Sequence, residues 1–144
     1  MMTFLLDVNV LIALIDPAHI QHDAAHEWFA GVGKRAWASC PLTENAVLRI
    51  VGDSRYPNSP GTPVAVGDVL AELLALPGHV FWADDISLFD TRKVDTGRLL
   101  NSRQVTDSYL LALACNHVGQ LATFDRRLVA TAVRGGSQGL HLIG

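Results

Sequence analysis

The chain has 144 residues, with 11 Lys and Arg against 14 Asp and Glu, so its formal net charge at pH 7 is -3. A hydrophobic fraction of 49% with 17% charged residues excludes an intrinsically disordered chain, and the length suits one domain over residues 1–144. The acidic balance argues against a protein that coats nucleic acid through an overall positive field.

In chain order, the predicted elements of the first half are a strand at 3–6, helices at 10–15 and 23–30, a strand at 35–39 and a helix at 41–51. After these come a helix at 64–76, a strand at 79–82, a helix from residue 99 onward and above all over 105–118, a strand at 120–123, a helix at 126–133 and a last strand at 140–143. Residues 52–63 hold three of the six prolines and are predicted to form a surface loop. Alternating strands and helices predict a three-layer α/β/α fold with a central, mostly parallel sheet.

The N-terminal segment has an apolar run, but no basic region precedes it, and Asp7 and Asn9 interrupt it. This pattern excludes a secretory signal, and no apolar stretch approaches the ~20 residues of a membrane helix. Cys40 and Cys115 have neither CxxC nor Cys/His spacing, so we expect two thiols in a reducing compartment. The sequence therefore predicts a cytoplasmic protein that makes no membrane contact.

Four acidic residues fall at one edge of the predicted sheet. Asp7 and Asp125 follow strands, Glu44 lies in the first turns of the helix after the second strand, and Asp107 opens the long helix. Because ligands collect at the carboxyl ends of parallel strands, we expect the four carboxylates to converge. At about 4 Å and an effective dielectric near 20, each pair would repel by roughly 4 kcal/mol, so a cation is expected among them.

Oxygen ligands without Cys or His favour Mg²⁺, with Mn²⁺ as a possible substitute, over Zn²⁺. One or two such ions would activate water and neutralise charge on a phosphoryl group, which predicts phosphodiester hydrolysis. Taken singly, each acid also has an ordinary structural interpretation: a helix N-terminal residue for Asp107 and Glu44, a turn residue for Asp125 and a strand terminator for Asp7.

Four blocks over nearly the whole chain carry a family resemblance: LLDVNVLIAL (5–14), LTENAVLRIV (42–51), VTDSYLLALA (105–114) and LATFDRRL (121–128). The chain resembles the PIN-domain ribonucleases, and specifically the VapC-type toxins of prokaryotic toxin–antitoxin pairs. The resemblance implies a Mg²⁺-dependent endoribonuclease of PIN fold, leaving the RNA target open. It also implies a homodimer that a VapB-type antitoxin inhibits, in a heterotetramer or a larger complex.

The resemblance places Asp7, Glu44, Asp107 and Asp125 in the catalytic and metal-binding set, with Asp7 and Asp107 holding the principal ion. Glu44 and Asp125 complete the site, through metal-bound water or a second ion. It also places Asn9 where the family has a polar residue two positions after the first acid. There Asn9 orients Asp7 or a phosphate, or else it caps a helix that begins at residue 10.

Thr106 and Arg126, each next to a predicted site acid, are further candidates for positioning the substrate. Thr106 is otherwise a helix cap. Basic residues flank the acidic blocks, and they either contact RNA phosphates or lie on solvated helix faces: Arg49, Arg92, Lys93, Arg98, Arg103, Arg126 and Arg127.

Three other interpretations compete with the nuclease. His22 and His26 share the i, i+4 spacing of the HExxH zinc motif, but Asp23 replaces the Glu and no convincing third ligand follows, so a zinc hydrolase is the weaker alternative. A receiver-like phosphoacceptor needs a lysine near the last strand, and Lys34 and Lys93 are not so placed. A catalytically silent PIN-fold binding module is the third, because a fold does not fix a function.

Overall fold

The computed structural model describes residues 1–144. Its strands are β1 (Phe4–Leu6), β2 (Trp37–Ser39), β3 (His79–Phe81), β4 (Gln120–Thr123) and β5 (Leu140–Leu142). Its helices are α1 (Val8–Ile15), α2 (His22–Gly31), α3 (Pro41–Val51), α4 (Pro63–Leu74) and α5 (Arg103–Asn116), with short 3₁₀ turns at Gly33–Arg35 and Thr96–Arg98.

The five strands form one sheet in the order β3-β2-β1-β4-β5, and every neighbouring pair is parallel. Strand β1 lies at the centre, where Leu5 pairs with Ala38 of β2 on one side and with Leu121 of β4 on the other. The chain first builds outward through β2 and β3 and then crosses to β4. The strand order therefore reverses between β1 and β4, and ligands of open parallel sheets bind at such a point.

Apolar side chains of β1 alternate between two buried layers. Phe4 and Leu6 pack with α1, α2, α3 and α4, whereas Leu5 packs with the buried face of α5. A strand buried on both faces is the mark of a parallel sheet covered by helices on each side. The predicted three-layer α/β/α fold is thus confirmed, and the sheet is parallel throughout.

Most predicted elements lie where the sequence placed them, and α3 begins at Pro41 and ends before Gly52. The predicted helix over residues 126–133 is wrong, because that stretch consists of turns and irregular backbone that ends in a bridge residue, Val133. The end of the stretch pairs with residues 93–95: the N–H of Asp95 donates to the carbonyl of Ala132, and the N–H of Arg134 donates to that of Lys93. Tertiary pairing therefore outweighs the helical spacing of its apolar residues.

The loop between α3 and α4 contains turns, as predicted, and hydrogen bonds hold it to Asp16 and to the carbonyl of Val51. The Tyr56 hydroxyl donates to Oδ2 of Asp16, and the Asn58 amide donates to Oδ1 of the same residue at 2.6 Å. Both cysteines are free thiols. None of the helices combines the length and the apolar composition that crossing a membrane requires.

Candidate active site

Asp7 lies directly after β1, and its side chain is almost completely buried. Its Oδ1 accepts a hydrogen bond of 2.7 Å from the N–H of Val8, and its Oδ2 accepts one of 2.7 Å from the Thr123 hydroxyl. Burial raises the pKa of Asp7, and the two hydrogen bonds oppose that shift. Asp7 is itself the N-cap of α1, so the interpretation of Asn9 as the cap of a helix from residue 10 is wrong.

Asp125 follows β4, the strand next to β1, and is exposed. Its backbone N–H donates to the Thr123 hydroxyl oxygen at 3.0 Å, and its Oδ1 accepts a hydrogen bond of 2.8 Å from the N–H of Arg127. Thr123 therefore contacts both acids, through the side chain of Asp7 and the backbone of Asp125. This hydroxyl fixes the spacing of the two strand ends.

Asp107 lies in the second turn of α5, which begins at Arg103, inside the predicted range from residue 99 onward, and its side chain is half-buried. Burial, followed by the negative charges of Asp7 and Asp125, raises the pKa of Asp107 to about 6. The three carboxylates are therefore near enough to repel one another.

One open cavity of about 560 Å³ contains all three of these acids. Of the residues singled out from the sequence, the structure brings together at its wall Asp7, Asn9, Arg49, Thr106, Asp107 and Asp125. The exposed amide of Asn45 on α3 also lines this cavity, and sequence reasoning missed it. Its signal was the helical spacing of 42, 45, 46 and 49, which puts Asn45 and Arg49 on one face of α3.

Glu44 does not line this cavity. Its Oε2 accepts a hydrogen bond of 2.6 Å from the hydroxyl of Ser39, the fully buried last residue of β2. That hydroxyl also lies 2.8 Å from Nε2 of His79, a half-buried ring on the edge strand β3. Glu44 therefore lies at the carboxyl edge of the sheet as expected, but its carboxylate is held over β2. Its membership of the metal site stays a prediction.

Arg126 is also outside the cavity, because its guanidinium donates to the carbonyl of Gly144 at 2.9 Å. The next residue, Arg127, lies with Arg103 on the wall of a neighbouring cavity that Asp107 and Asp125 also line. The turn after β4 thus directs Arg127 toward the acids and Arg126 toward the chain's end.

The donor set of the cavity fits a hard divalent cation. The side chains that could bind an ion here are three carboxylates, which are hard oxygen ligands. The charges of Asp7 and Asp125 contribute to the raised pKa of Asp107, and a bound cation would relieve this repulsion. No group of three or more His, Cys, Asp or Glu side chains stands close enough to enclose an ion without other ligands. Mg²⁺ is usually held by one or two carboxylates with water and substrate phosphates, and the open cavity leaves space for both.

The histidine pair of α2 has a structural role. His22 Nδ1 lies 2.7 Å from the carbonyl of Ala13, and His26 Nε2 lies 2.8 Å from that of Leu14. Both rings therefore donate to carbonyls in the last turn of α1, which have no partners inside the helix. No third metal-binding side chain joins them. The donor set that the zinc alternative requires is missing from this surface.

Comparisons with known proteins agree with the fold. The family model for the PIN domain matches residues 4–134. Ribonuclease VapC44 of Mycobacterium tuberculosis is 42% identical over 137 residues, which are 95% of this chain and 96% of the relative. Ribonuclease VapC39 of the same organism is 42% identical over 134 residues, covering 93% of this chain and 96% of the relative.

A solved structure with the same fold is that of VapBC2 from Rickettsia felis bound to a DNA fragment from their promoter. Its matched chain superposes with a TM-score of 0.58 at 11% identity, over 99% of this chain and 100% of that one. At this identity the likeness establishes the architecture alone.

Proposed function

The chain belongs to the PIN-domain family and to its VapC-type ribonucleases, and from that premise we propose that it is a Mg²⁺-dependent endoribonuclease and the toxin of a toxin–antitoxin pair. The substrate is RNA, and Mn²⁺ can replace Mg²⁺. The reaction is hydrolysis of a phosphodiester bond: water oxygen bonds to phosphorus, and the bond from phosphorus to the 3′ oxygen breaks. The products carry a 5′-phosphate and a 3′-hydroxyl.

The observation that carries this proposal is the meeting of three carboxylates in one open cavity at the switch point of the sheet. Burial and the negative charges of Asp7 and Asp125 raise the pKa of Asp107 to about 6, which marks a concentration of negative charge at this wall. When bound there, Mg²⁺ would lower the pKa of a water molecule and neutralise charge on the phosphate.

The chain's own residues hold and orient the reactants. Asp7 is fixed by Val8 and Thr123, so its carboxylate is preorganised and loses little entropy when it binds an ion. Asp107 supplies the second carboxylate, and in the metal-free protein it takes up a proton near pH 6. Asp125 is the exposed member and faces the space where water and RNA enter.

Polar side chains around the acids position the RNA strand. Asn9 and Asn45 lie on the walls formed by α1 and α3, and Thr106 precedes Asp107 on α5. Amide and hydroxyl groups of this kind bind phosphate and sugar oxygens. Arg49 on the same wall supplies a charged contact that can fork onto a phosphate.

The protein partner is a VapB-type antitoxin, and the toxin itself is a homodimer that forms a heterotetramer or larger complex with it. Two observations support the antitoxin partner: the named relatives are VapC ribonucleases, and the structure with the same fold is a VapBC assembly. An antitoxin that covers the cavity would exclude RNA from the carboxylates. The expected location is the cytoplasm, where such an RNA substrate is found.

The test uses purified protein and total RNA, with Mg²⁺, Mn²⁺ or EDTA, and sequencing of the new 5′ ends. Cleavage should require the divalent ion and should disappear in Asp7→Asn, while the exposed variant Asp68→Asn on α4 should cleave like the wild type. Expression of the wild type should stop growth, and Asp7→Asn should not. Growth arrest that persists in Asp7→Asn would mean a binding module in place of a nuclease.

A further inference from the structure

A second cavity, of about 370 Å³, borders the first and shares its acidic wall. We call it the α5 pocket, and it is lined by Asn101, Arg103, Gln104, Asp107, Asp125, Arg127 and Val129. Asp107 and Asp125 line both cavities. A ligand whose reacting group lies at these two carboxylates therefore borders both cavities.

The α5 pocket is lined by two arginine side chains, Arg103 and Arg127, that form no ion pair within the protein. Arg55, Arg92 and Arg98 each form an ion pair with a nearby aspartate, whereas neither Arg103 nor Arg127 does. Each of these two side chains also lacks a hydrogen bond, although each lines a pocket with two carboxylates. Neither is among the groups that shift the pKa of Asp107. Two guanidinium groups are thus free to bind an anion beside the acids.

A buried side chain builds the rim of this pocket. Oε1 of Gln104 accepts hydrogen bonds of 2.8 Å from the N–H of Leu100 and 3.2 Å from that of Asn101, and Gln104 is only 7% exposed. Oδ1 of Asn101 in turn accepts a hydrogen bond of 3.1 Å from the N–H of Arg103. The turn before α5 is therefore fastened to the helix, and the backbone that carries Arg103 is fixed.

The lining chemistry selects a phosphate group. Val129 is the one hydrophobic residue of the α5 pocket, and no aromatic side chain is available for a base to stack on. Guanidinium groups match phosphate oxygens with two parallel hydrogen bonds, which lysine cannot do. The pocket therefore suits the backbone of a nucleic acid strand better than a base.

We propose that the α5 pocket binds the phosphodiester next to the scissile one on a single-stranded RNA, through Arg103 and Arg127. This inference rests on the proposed ribonuclease function and adds to it the path of the strand. The strand passes from the large cavity, over Asp107 and Asp125, into the α5 pocket. Because the contact is made to phosphate, its contribution to affinity is the same for every base sequence.

The experiment measures binding of a fluorescein-labelled 12-nucleotide single-stranded RNA by anisotropy, in Mg²⁺ and at a series of KCl concentrations. Asp7→Asn serves as the background, because the probe must stay uncleaved. Each lost phosphate contact on a single strand reduces the slope of log Kd against log salt concentration by about 0.7. Arg103→Ala and Arg127→Ala should each reduce it by about that amount, and the double variant by about 1.4.

Arg92→Ala is the matched control, since this exposed arginine is paired with Asp90 and lies outside both cavities. It should leave the slope unchanged. Unchanged slopes in the Arg103 and Arg127 variants, or an equal fall in Arg92→Ala, would overturn the proposal. So would a loss of affinity that differs between oligouridylate and oligoadenylate probes, because that result would mean base recognition.

The two levels of the proposal can be separated. If the wild type cleaves no RNA under any metal condition, the proposed function fails. If the wild type binds and cleaves RNA while the arginine variants match it in both respects, only the α5 pocket assignment fails.

Discussion

The hydroxyl of Thr123 donates a hydrogen bond of 2.7 Å to Oδ2 of Asp7, and so joins the ends of the neighbouring strands β4 and β1. The same oxygen accepts a hydrogen bond from the N–H of Asp125. Since both acids line the cavity, one buried hydroxyl sets the position of each. The proposed metal site therefore depends on a residue that does not itself carry charge.

Thr123→Val removes this hydroxyl without changing the shape of the side chain. We expect the free energy of unfolding to fall by about 1–3 kcal/mol, because an acceptor on buried Asp7 loses its partner. We also expect a higher Mg²⁺ concentration for half-maximal cleavage. Thr123→Ser is the matched control and should restore both values. Equal Mg²⁺ requirements in the valine and serine variants would show that the Thr123 hydroxyl has no influence on metal binding.

Asp7→Asn should reduce the rate of RNA cleavage by ~100-fold or more, the scale expected for losing one preorganised electrostatic group. Asparagine is as good an N-cap as aspartate, so α1 should still form and the thermal melting temperature should change little. Gel analysis of RNA cleavage, paired with a thermal melt, provides the measurement. Residual cleavage above a tenth of the wild-type rate would contradict a central role for this carboxylate.

Asp107→Asn tests the crowding of negative charge in the metal-free protein. The pKa of Asp107 is raised to about 6 from the ordinary value of 3.8, so between these pH values the folded state binds more protons than the unfolded state. The wild-type carboxylate therefore lowers stability as the pH rises toward 6, and the loss persists above it. In EDTA at about pH 7.5, the variant should be more stable by about 1 kcal/mol, after allowance for solvent screening.

The extra stability of Asp107→Asn should vanish near pH 4, where the side chain at position 107 is neutral in the folded state of both proteins. Denaturant unfolding at pH 4 and at about pH 7.5 measures the difference. Added Mg²⁺ should raise the melting temperature of the wild type more than that of Asp107→Asn. A variant that is less stable than the wild type at both pH values would contradict the electrostatic account.

Glu44→Gln decides whether the fourth acid acts in cleavage. The carboxylate accepts a hydrogen bond from buried Ser39 and lies outside the cavity, so its influence would pass through positioning. We expect the cleavage rate to fall by about 10- to 100-fold, the scale of groups that orient metal ligands. An unchanged rate together with a lower melting temperature would make Glu44 purely structural.

His26→Ala removes the hydrogen bond to the carbonyl of Leu14 at the end of α1. The expected cost in the free energy of unfolding is about 0.5–1.5 kcal/mol, the value of a typical hydrogen bond. RNA cleavage should be unaffected, and elemental analysis should find no stoichiometric zinc. Asp23→Ala, an exposed neighbour on α2, controls for changes in helix stability. Loss of cleavage in His26→Ala would revive the zinc interpretation.

Local patterns in the sequence were sufficient for much of the fold. The apolar run of β1, the helical spacing after Pro41 and the stop at Gly52 each depend on residues within a few positions of one another. In the stretch 126–133, where a helix was predicted, the end of the segment pairs with residues 93–95 instead, and no local pattern reports such long-range pairing.

The acids at element ends could likewise be predicted, because in a parallel sheet the end of a strand implies the functional edge. Asp7 and Asp125 follow strands that proved to be neighbours, and Asp107 faces them from α5. Which side chains enter the cavity was decided by the folded chain. On α3 the turn of the helix presents Asn45 to the cavity and Glu44 to Ser39, although the two residues are adjacent.

The turn after β4 likewise orients two adjacent residues differently: Arg126 donates to the carbonyl of Gly144, whereas Arg127 lines a cavity with Asp107 and Asp125. Order along the chain thus specifies which strand end a residue occupies. The direction of its side chain depends on how each helix and turn is rotated against the sheet, and packing of distant residues sets that rotation.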